Sequence, residues 1–310
     1  MGQFLKNIVL FTMLCLFGYV PVICLWGEIA SQDLKTNVSF NIGGVGHLFT
    51  RLQEVKTTEN VDVLVLGTSL AYRGFDPRVF ESHQLRLFNL GSSAQTPLQT
   101  EILLHRYLDR LHPRIVIFEV NPFYLSNDGV ESSLDFFAND KNDFASIRSA
   151  FIINNVKTYN ALIYGVYKDI TAFKLGFKEP TNKKDDTYIS HGFVEKALSY
   201  NRNQSSGAIS WTFERYQLAA FHNSLRMLKE KGISYVLVQA PISKARYANI
   251  INKEVFDTKM TNLGTYYNFN ELMQLNDGLH FYDSHHLNQN GVAAFNNYLI
   301  KTLFLDYRIK

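Results

Sequence analysis

Short apolar runs alternate with longer stretches in which apolar residues recur at helical spacing. "VDVLVLG" (61–67) is uninterrupted and β-prone, as expected of a strand buried on both faces. "LRLFNLG" (85–91), "RIVIFEVNP" (114–122) and "ISYVLVQAP" (233–241) repeat the pattern, and "TYYNFN" (265–270) predicts a fifth strand. Between them, "PLQTEILLHRYLDRLHP" (97–113) reads as a helix opened by Pro97 and closed by Pro113. "WTFERYQLAAFHNSLRMLKEKG" (211–232) reads as a helix stopped by Gly232, and "NQNGVAAFNNYLIKTLF" (288–304) as the last one. Alternation of this kind predicts an α/β fold: a three-layer α/β/α sandwich around a mostly parallel five-stranded sheet. Ligands of such sheets bind beyond the carboxyl ends of the strands.

Two segments depart from the rhythm. "NIVLFTMLCLFGYVPVICLW" (7–26) carries no charge, follows Lys6 and ends on Trp26, and has the length of a membrane span. A cleaved signal peptide is the rival, but "VICLWGEIAS" is a poor cleavage site and Ile23 spoils a lipoprotein box. The reading is therefore a cytoplasmic N-terminus (1–6), a signal anchor (7–26), a polar connector (27–60) and an α/β domain (61–310) outside the cytoplasm. The second segment, about 124–210, is rich in Asn, Asp, Lys and Tyr. It reads as an insertion beginning at the carboxyl end of the third strand, where specificity is usually built. Its Phe123, Tyr124, Phe136 and Phe137 are candidates for an apolar platform under a sugar ring, or for packing of the insertion.

At 310 residues the chain can bury a sizeable core. With 31 Lys+Arg against 28 Asp+Glu and no basic cluster, nucleic acid is not an expected partner. Both cysteines, Cys15 and Cys24, lie in the apolar N-terminal segment, so the remainder has neither disulfide nor thiolate metal site. No cofactor is implied. Sequons at Asn37 and Asn203 matter only in a eukaryotic secretory pathway.

Candidate chemistry begins where the first strand ends, in "LGTSLAYRG". Ser69 stands there after Gly67 and Thr68, either as a turn residue or as a nucleophile at the sheet edge. Near the C-terminus, "FYDSHHLNQNG" sets Asp283 three residues before His286, a spacing that lets the carboxylate hold the imidazole within one turn. His285 is the adjacent alternative and His280 a more distant one. Asn288 as a helix cap with solvent-facing histidines is the plainer reading. These histidines lack a spaced set of carboxylates, so no metal site is expected. The elbow G-x-S-x-G is absent, because Ala71 occupies its last position.

The order of these blocks resembles the SGNH hydrolase superfamily, also called GDSL esterases and lipases, over roughly residues 60–122 and 212–304. The resemblance implies Ser69 as nucleophile, with Thr68 where the common pattern has aspartate. It implies Asp283 and His286 as the remaining members of a triad. It implies an oxyanion hole from the N–H groups of Ser69 and Gly91, the latter in "FNLGSSAQ". Asn121 in "FEVNPFYL" stands where the third block has its asparagine, but without that block's glycine and aspartate. It either donates its amide to the oxyanion or caps the turn before Pro122, and Asn89 and Gln95 are further amides nearby. With the anchor and insertion, the chain also resembles membrane-anchored proteins that modify envelope polymers: the D-alanine transfer protein of teichoic acids and the alginate O-acetylation proteins. That resemblance implies a serine esterase or O-acyltransferase acting on acyl esters of envelope carbohydrate beside a membrane-bound O-acyltransferase. The alternative is an inactive glycan-binding or scaffold protein of the same fold.

Overall fold

The computed structural model describes residues 1–171, 173–201 and 207–306. The Asn203 sequon lies outside them. In chain order the strands are β1 (Val63–Leu66), β2 (Leu87–Asn89), β3 (Ile115–Glu119), β4 (Asn182–Lys183), β5 (Asp186–Ile189), β6 (Phe193–Lys196), β7 (Ser234–Gln239) and β8 (Tyr266–Asn268). Five of them form one parallel sheet in the order β2-β1-β3-β7-β8, with Val63 opposite Ile115 and Ile115 opposite Ser234. The five strands are those expected from the apolar runs, and the fold is α/β with a five-stranded parallel sheet.

Burial on both faces explains why those runs are continuous. Val63, Val65, Ile117 and Val238 point to one face and pack with Val292, Phe295 and Leu299 of the helix Gln289–Ile300. On the opposite face Phe118 meets Phe221 of the helix Arg215–Glu230 edge-on, with ring centroids 5.4 Å apart. Each such side chain contributes about 1.5–3 kcal/mol relative to exposure.

The helix Pro97–Leu111 starts with a capping box between Thr96 and Gln99 and ends where His112 turns left-handed, before Pro113. The helix expected from Trp211 begins only at Arg215. Trp211 and Phe213 instead set their rings against Phe256 in the segment leading into it.

By its internal contacts the chain divides into two compact units, one of residues 43–132 and 178–310, the other of residues 1–42 and 133–177. The α/β sheet belongs to the first. The segment 124–210, read from sequence as one insertion, is split between the two units. Its later part supplies the antiparallel sheet β4-β5-β6 to the α/β unit, held by the bidentate ion pair of Arg73 with Asp186. The connector 27–60 also contains a helix of this unit, Leu48–Glu54, with Leu48, Phe49 and Leu52 buried. The second unit holds the helices Phe144–Ile153 and Val156–Ile170 and the N-terminal helix Gly2–Ile29, which is long and apolar enough to cross a membrane.

Candidate active site

β1 stops because of its neighbour on β3. Gly67 has φ +148°, and a Cβ there would lie 2.7 Å from both Cβ and the carbonyl oxygen of Glu119. Only glycine passes this point. Thr68 then caps the short helix Ser69–Gly74, its side chain accepting from the Leu70 N–H. The N–H and Oγ1 of Thr68 both donate to Glu119 Oε2, at 3.0 and 2.8 Å. Ser69 follows as the first residue of the helix, so its own N–H has no helical partner.

The C-terminal loop meets Ser69 from the other side. His286 Nε2 lies 2.8 Å from Ser69 Oγ, and His286 Nδ1 lies 2.8 Å from Asp283 Oδ2. The other oxygen, Asp283 Oδ1, accepts the backbone N–H groups of His285 and His286 at 2.8 and 2.7 Å. Burial by itself would raise the Asp283 carboxyl, but its hydrogen bond to His286 and the charges of His286 and His285 hold it well below the usual carboxylate range. Tyr282 stacks on the His286 ring, with centroids 5.3 Å apart and planes 9° from parallel. His285 Nδ1 lies 3.2 Å from Ser284 Oγ, and burial together with the His286 charge pushes the His285 pKa down to about 4. His280 hydrogen-bonds within its own turn at Asn276.

The three residues singled out by the D-x-x-H spacing and the strand-end serine are therefore in one hydrogen-bonded series. It opens on a cavity of about 690 Å³ whose walls include Ser93, Asn121, Phe123 and Arg246. The Arg246 guanidinium lies 5.6 Å from the Phe123 ring. Burial lowers its pKa from the ordinary value, opposed by Asp283. Asp283, His285 and His286 also present metal-ligand atoms within 4.8 Å of one another, a grouping not expected from sequence. An ion there would compete with the Asp283–His286 hydrogen bond.

The amides expected around an oxyanion are differently employed. The Gly91 N–H donates to Asn89 Oδ1 at 3.0 Å, and Asn89 Nδ2 donates to the carbonyls of Ala71 and Phe75. Gly91 is needed for close approach, since a Cβ would lie 2.6 Å from that of Ala71. Asn121 Nδ2 donates to Glu119 Oε1 at 3.0 Å and to Thr68 Oγ1 at 3.3 Å. Its Oδ1 accepts the Tyr124 N–H, so of the two roles open in the sequence the structure contains the capping one. Gln95 is buried between Ser92 and Thr100. The platform expected of four aromatics reduces to Phe123, 38% exposed, because Tyr124, Phe136 and Phe137 are buried.

Glu119 had no role in the sequence reading. It is fully buried, receives three hydrogen bonds from Thr68 and Asn121, and burial pushes its carboxyl up against their opposing effect. The signal was an acid closing an otherwise apolar strand, "VIFEVN".

No protein-family model matches this sequence, and no curated protein does. Among solved structures the chain is similar to a protein assigned as an acylhydrolase from Bacteroides fragilis, at 12% identity and a TM-score of 0.39, covering 81% of this chain and 92% of that one. It is similar to a protein assigned to the G-D-S-L lipolytic family from Desulfitobacterium hafniense, at 10% identity and 0.39, covering 79% and 100%. A GDSL-like lipase from Bacteroides thetaiotaomicron is similar at 11% identity and 0.38, covering 81% and 95%.

Proposed function

We propose that the chain is a membrane-anchored serine esterase or O-acyltransferase of SGNH type. It acts on acyl esters, acetyl above all, of cell-envelope carbohydrate outside the cytoplasm. The observation that carries this reading is the Ser69–His286–Asp283 hydrogen-bond series, whose Ser69 and His286 line the cavity.

In the proposed reaction His286 Nε2 takes the Ser69 proton as Oγ attacks the acyl carbonyl. Asp283 keeps Nδ1 protonated and faces the imidazolium that forms. The Ser69 N–H meets the tetrahedral oxyanion, and the Gly91 N–H joins it by releasing Asn89 Oδ1 when substrate enters. Collapse of that intermediate passes the His286 proton to the leaving alcohol and leaves an acyl group on Ser69. Water or a sugar hydroxyl then attacks this ester as His286 removes its proton, and collapse breaks the bond to Ser69 Oγ, which takes the proton back from His286. A membrane-bound O-acyltransferase is the proposed partner supplying or receiving acyl groups.

The engaged state of Gly91 and Asn121 favours a second reading, an inactive glycan-binding or scaffold protein. A fluorophosphonate probe separates the two. Covalent labelling that disappears in Ser69→Ala supports the enzyme; an unlabelled, folded wild-type chain supports the scaffold.

A further inference from the structure

Within the unit of residues 1–42 and 133–177, the helix Val156–Ile170 runs alongside the second half of the N-terminal helix in the same direction. Tyr19 Oη donates to Asn160 Oδ1 at 2.6 Å, Tyr164 Oη donates to the Gly27 carbonyl at 2.9 Å, and Lys168 pairs with Glu28 at 2.5 Å. Rising numbers on one helix meet rising numbers on the other.

This pairing sets a depth. A bilayer core takes roughly 20 helical residues. In the helix Gly2–Ile29 every window of that length contains Leu10 through Pro21, so Tyr19 lies within the span whichever window the membrane takes. Asn160 shares its depth. Val156, four residues earlier, begins its helix about 6 Å deeper still.

The helix that leads into this point is Phe144–Ile153, short and apolar. Phe144, Ile147 and Phe151 fall at i, i+3 and i+7 on its outward face, with Phe144 79% and Phe151 66% exposed. The inward residues are Ser146, Ser149 and Ala150. Large apolar side chains outside and small ones inside invert the ordinary surface helix. Val156, 57% exposed, extends the patch across the turn.

We propose that the two-helix hairpin 144–170 is a membrane-inserted element. It presses Phe144, Ile147, Phe151 and Val156 into the leaflet that holds the carboxyl-terminal half of the N-terminal helix. Lipid is the occupant because the patch continues from the depth of the span, where acyl chains are the solvent. The hairpin thereby gives the unit a second hold on the bilayer and fixes its rotation about the span.

The test uses the full chain, with Cys15 and Cys24 replaced by alanine, in vesicles of phosphatidylcholine and phosphatidylglycerol. Single cysteines are placed by Phe144→Cys, Ile147→Cys and Phe151→Cys, with Thr36→Cys as the control beyond the end of the N-terminal helix, and each carries an environment-sensitive fluorophore. At the three hairpin sites emission should shift to the blue, and lipids brominated on their acyl chains should quench it at least twofold more than at the control. Water-like emission that brominated lipid leaves unchanged overturns the proposal. Blue-shifted emission without quenching also overturns it, since a second copy or another protein would then cover the patch. Fluorophosphonate labelling of Ser69 in the same vesicles reports the proposed chemistry separately.

Discussion

The two sides of Ser69 are built on different terms. On the sheet side, Thr68, Glu119, Asn121, Asn89 and Gly91 satisfy one another in full burial or close to it. On the loop side, Asp283 and His285 are more than a third exposed in their side chains, and only His286 is well covered. The buried side is a frame in which each polar group is needed to satisfy another. The open side carries the groups whose protons can move. Alterations of the loop should thus cost activity with little stability, and alterations of the frame should do the reverse.

The strongest break in this comparison comes from the serine and its base. Ser69→Ala and His286→Ala should each lower acyl-ester turnover by about 1000-fold or more, while the unfolding free energy moves by less than about 0.5 kcal/mol in Ser69→Ala and by about 0.5–1.5 kcal/mol in His286→Ala, which removes the hydrogen-bond partner of Asp283. Esterase assays with an activated acetyl ester and denaturant titration check both halves. Comparable loss of stability would mean that the loop belongs to the frame.

Asp283→Asn keeps the shape but offers His286 an amide in place of a charged acceptor. Turnover should fall by about 100- to 10,000-fold with the serine still in place. The Asp283 carboxyl is held below its ordinary range by the fold, so it contributes stability that is present above that range and lost as pH falls below it through the folded-state value. The acid limb of the wild-type stability curve should flatten in the variant.

Frame substitutions should sort the other way. Glu119→Gln turns an N–H toward donors that now find an acceptor and should cost about 1–3 kcal/mol. Asn121→Ala removes a cap, costing about 0.5–2 kcal/mol, with turnover reduced less than tenfold. A 100- to 1000-fold loss of turnover in Asn121→Ala at unchanged stability, the range of a missing oxyanion donor, would instead move Asn121 to the reactive side.

The smallest effect is expected at His285. Its imidazole is held neutral, with a pKa near 4 instead of 6.5. Its contribution to stability is present above pH 6.5 and is lost as pH falls toward 4. His285→Gln should flatten the stability curve across that window and leave turnover far closer to wild type than His286→Ala does.

What the sequence made legible follows the same division. The sheet could be read because parallel strands buried on both faces must be apolar without interruption. Ser69, Asp283 and His286 could be singled out because their grouping depends on local spacing and strand ends. The employment of Gly91 and Asn121 could not, because it depends on contacts made only after β1, β2 and β3 lie side by side. Glu119 and Thr68 are 51 residues apart, and nothing local announces that one accepts from the other. β4–β6 escaped notice because they are short, partly exposed and polar, without the apolar alternation that marks a longer strand. The aromatics at 124, 136 and 137 look alike on paper to Phe123; only packing decides which of them faces the cavity.

Thr68 follows the end of β1, and the acid touching it comes from β3. Positions 68 and 119 are therefore one chemical choice made across two strands. Thr68→Asp alone would bring a second carboxylate to the place where Thr68 Oγ1 now donates to Glu119. Two carboxyls so near cannot both ionise, and one would retain its proton far above the usual range. Adding Glu119→Gln should relieve most of that penalty, giving the pair a double-mutant coupling of opposite sign to its separate costs. Exchange of the acid between the two positions is then open to this fold only as a paired event, and descendants of the chain should change both residues or neither.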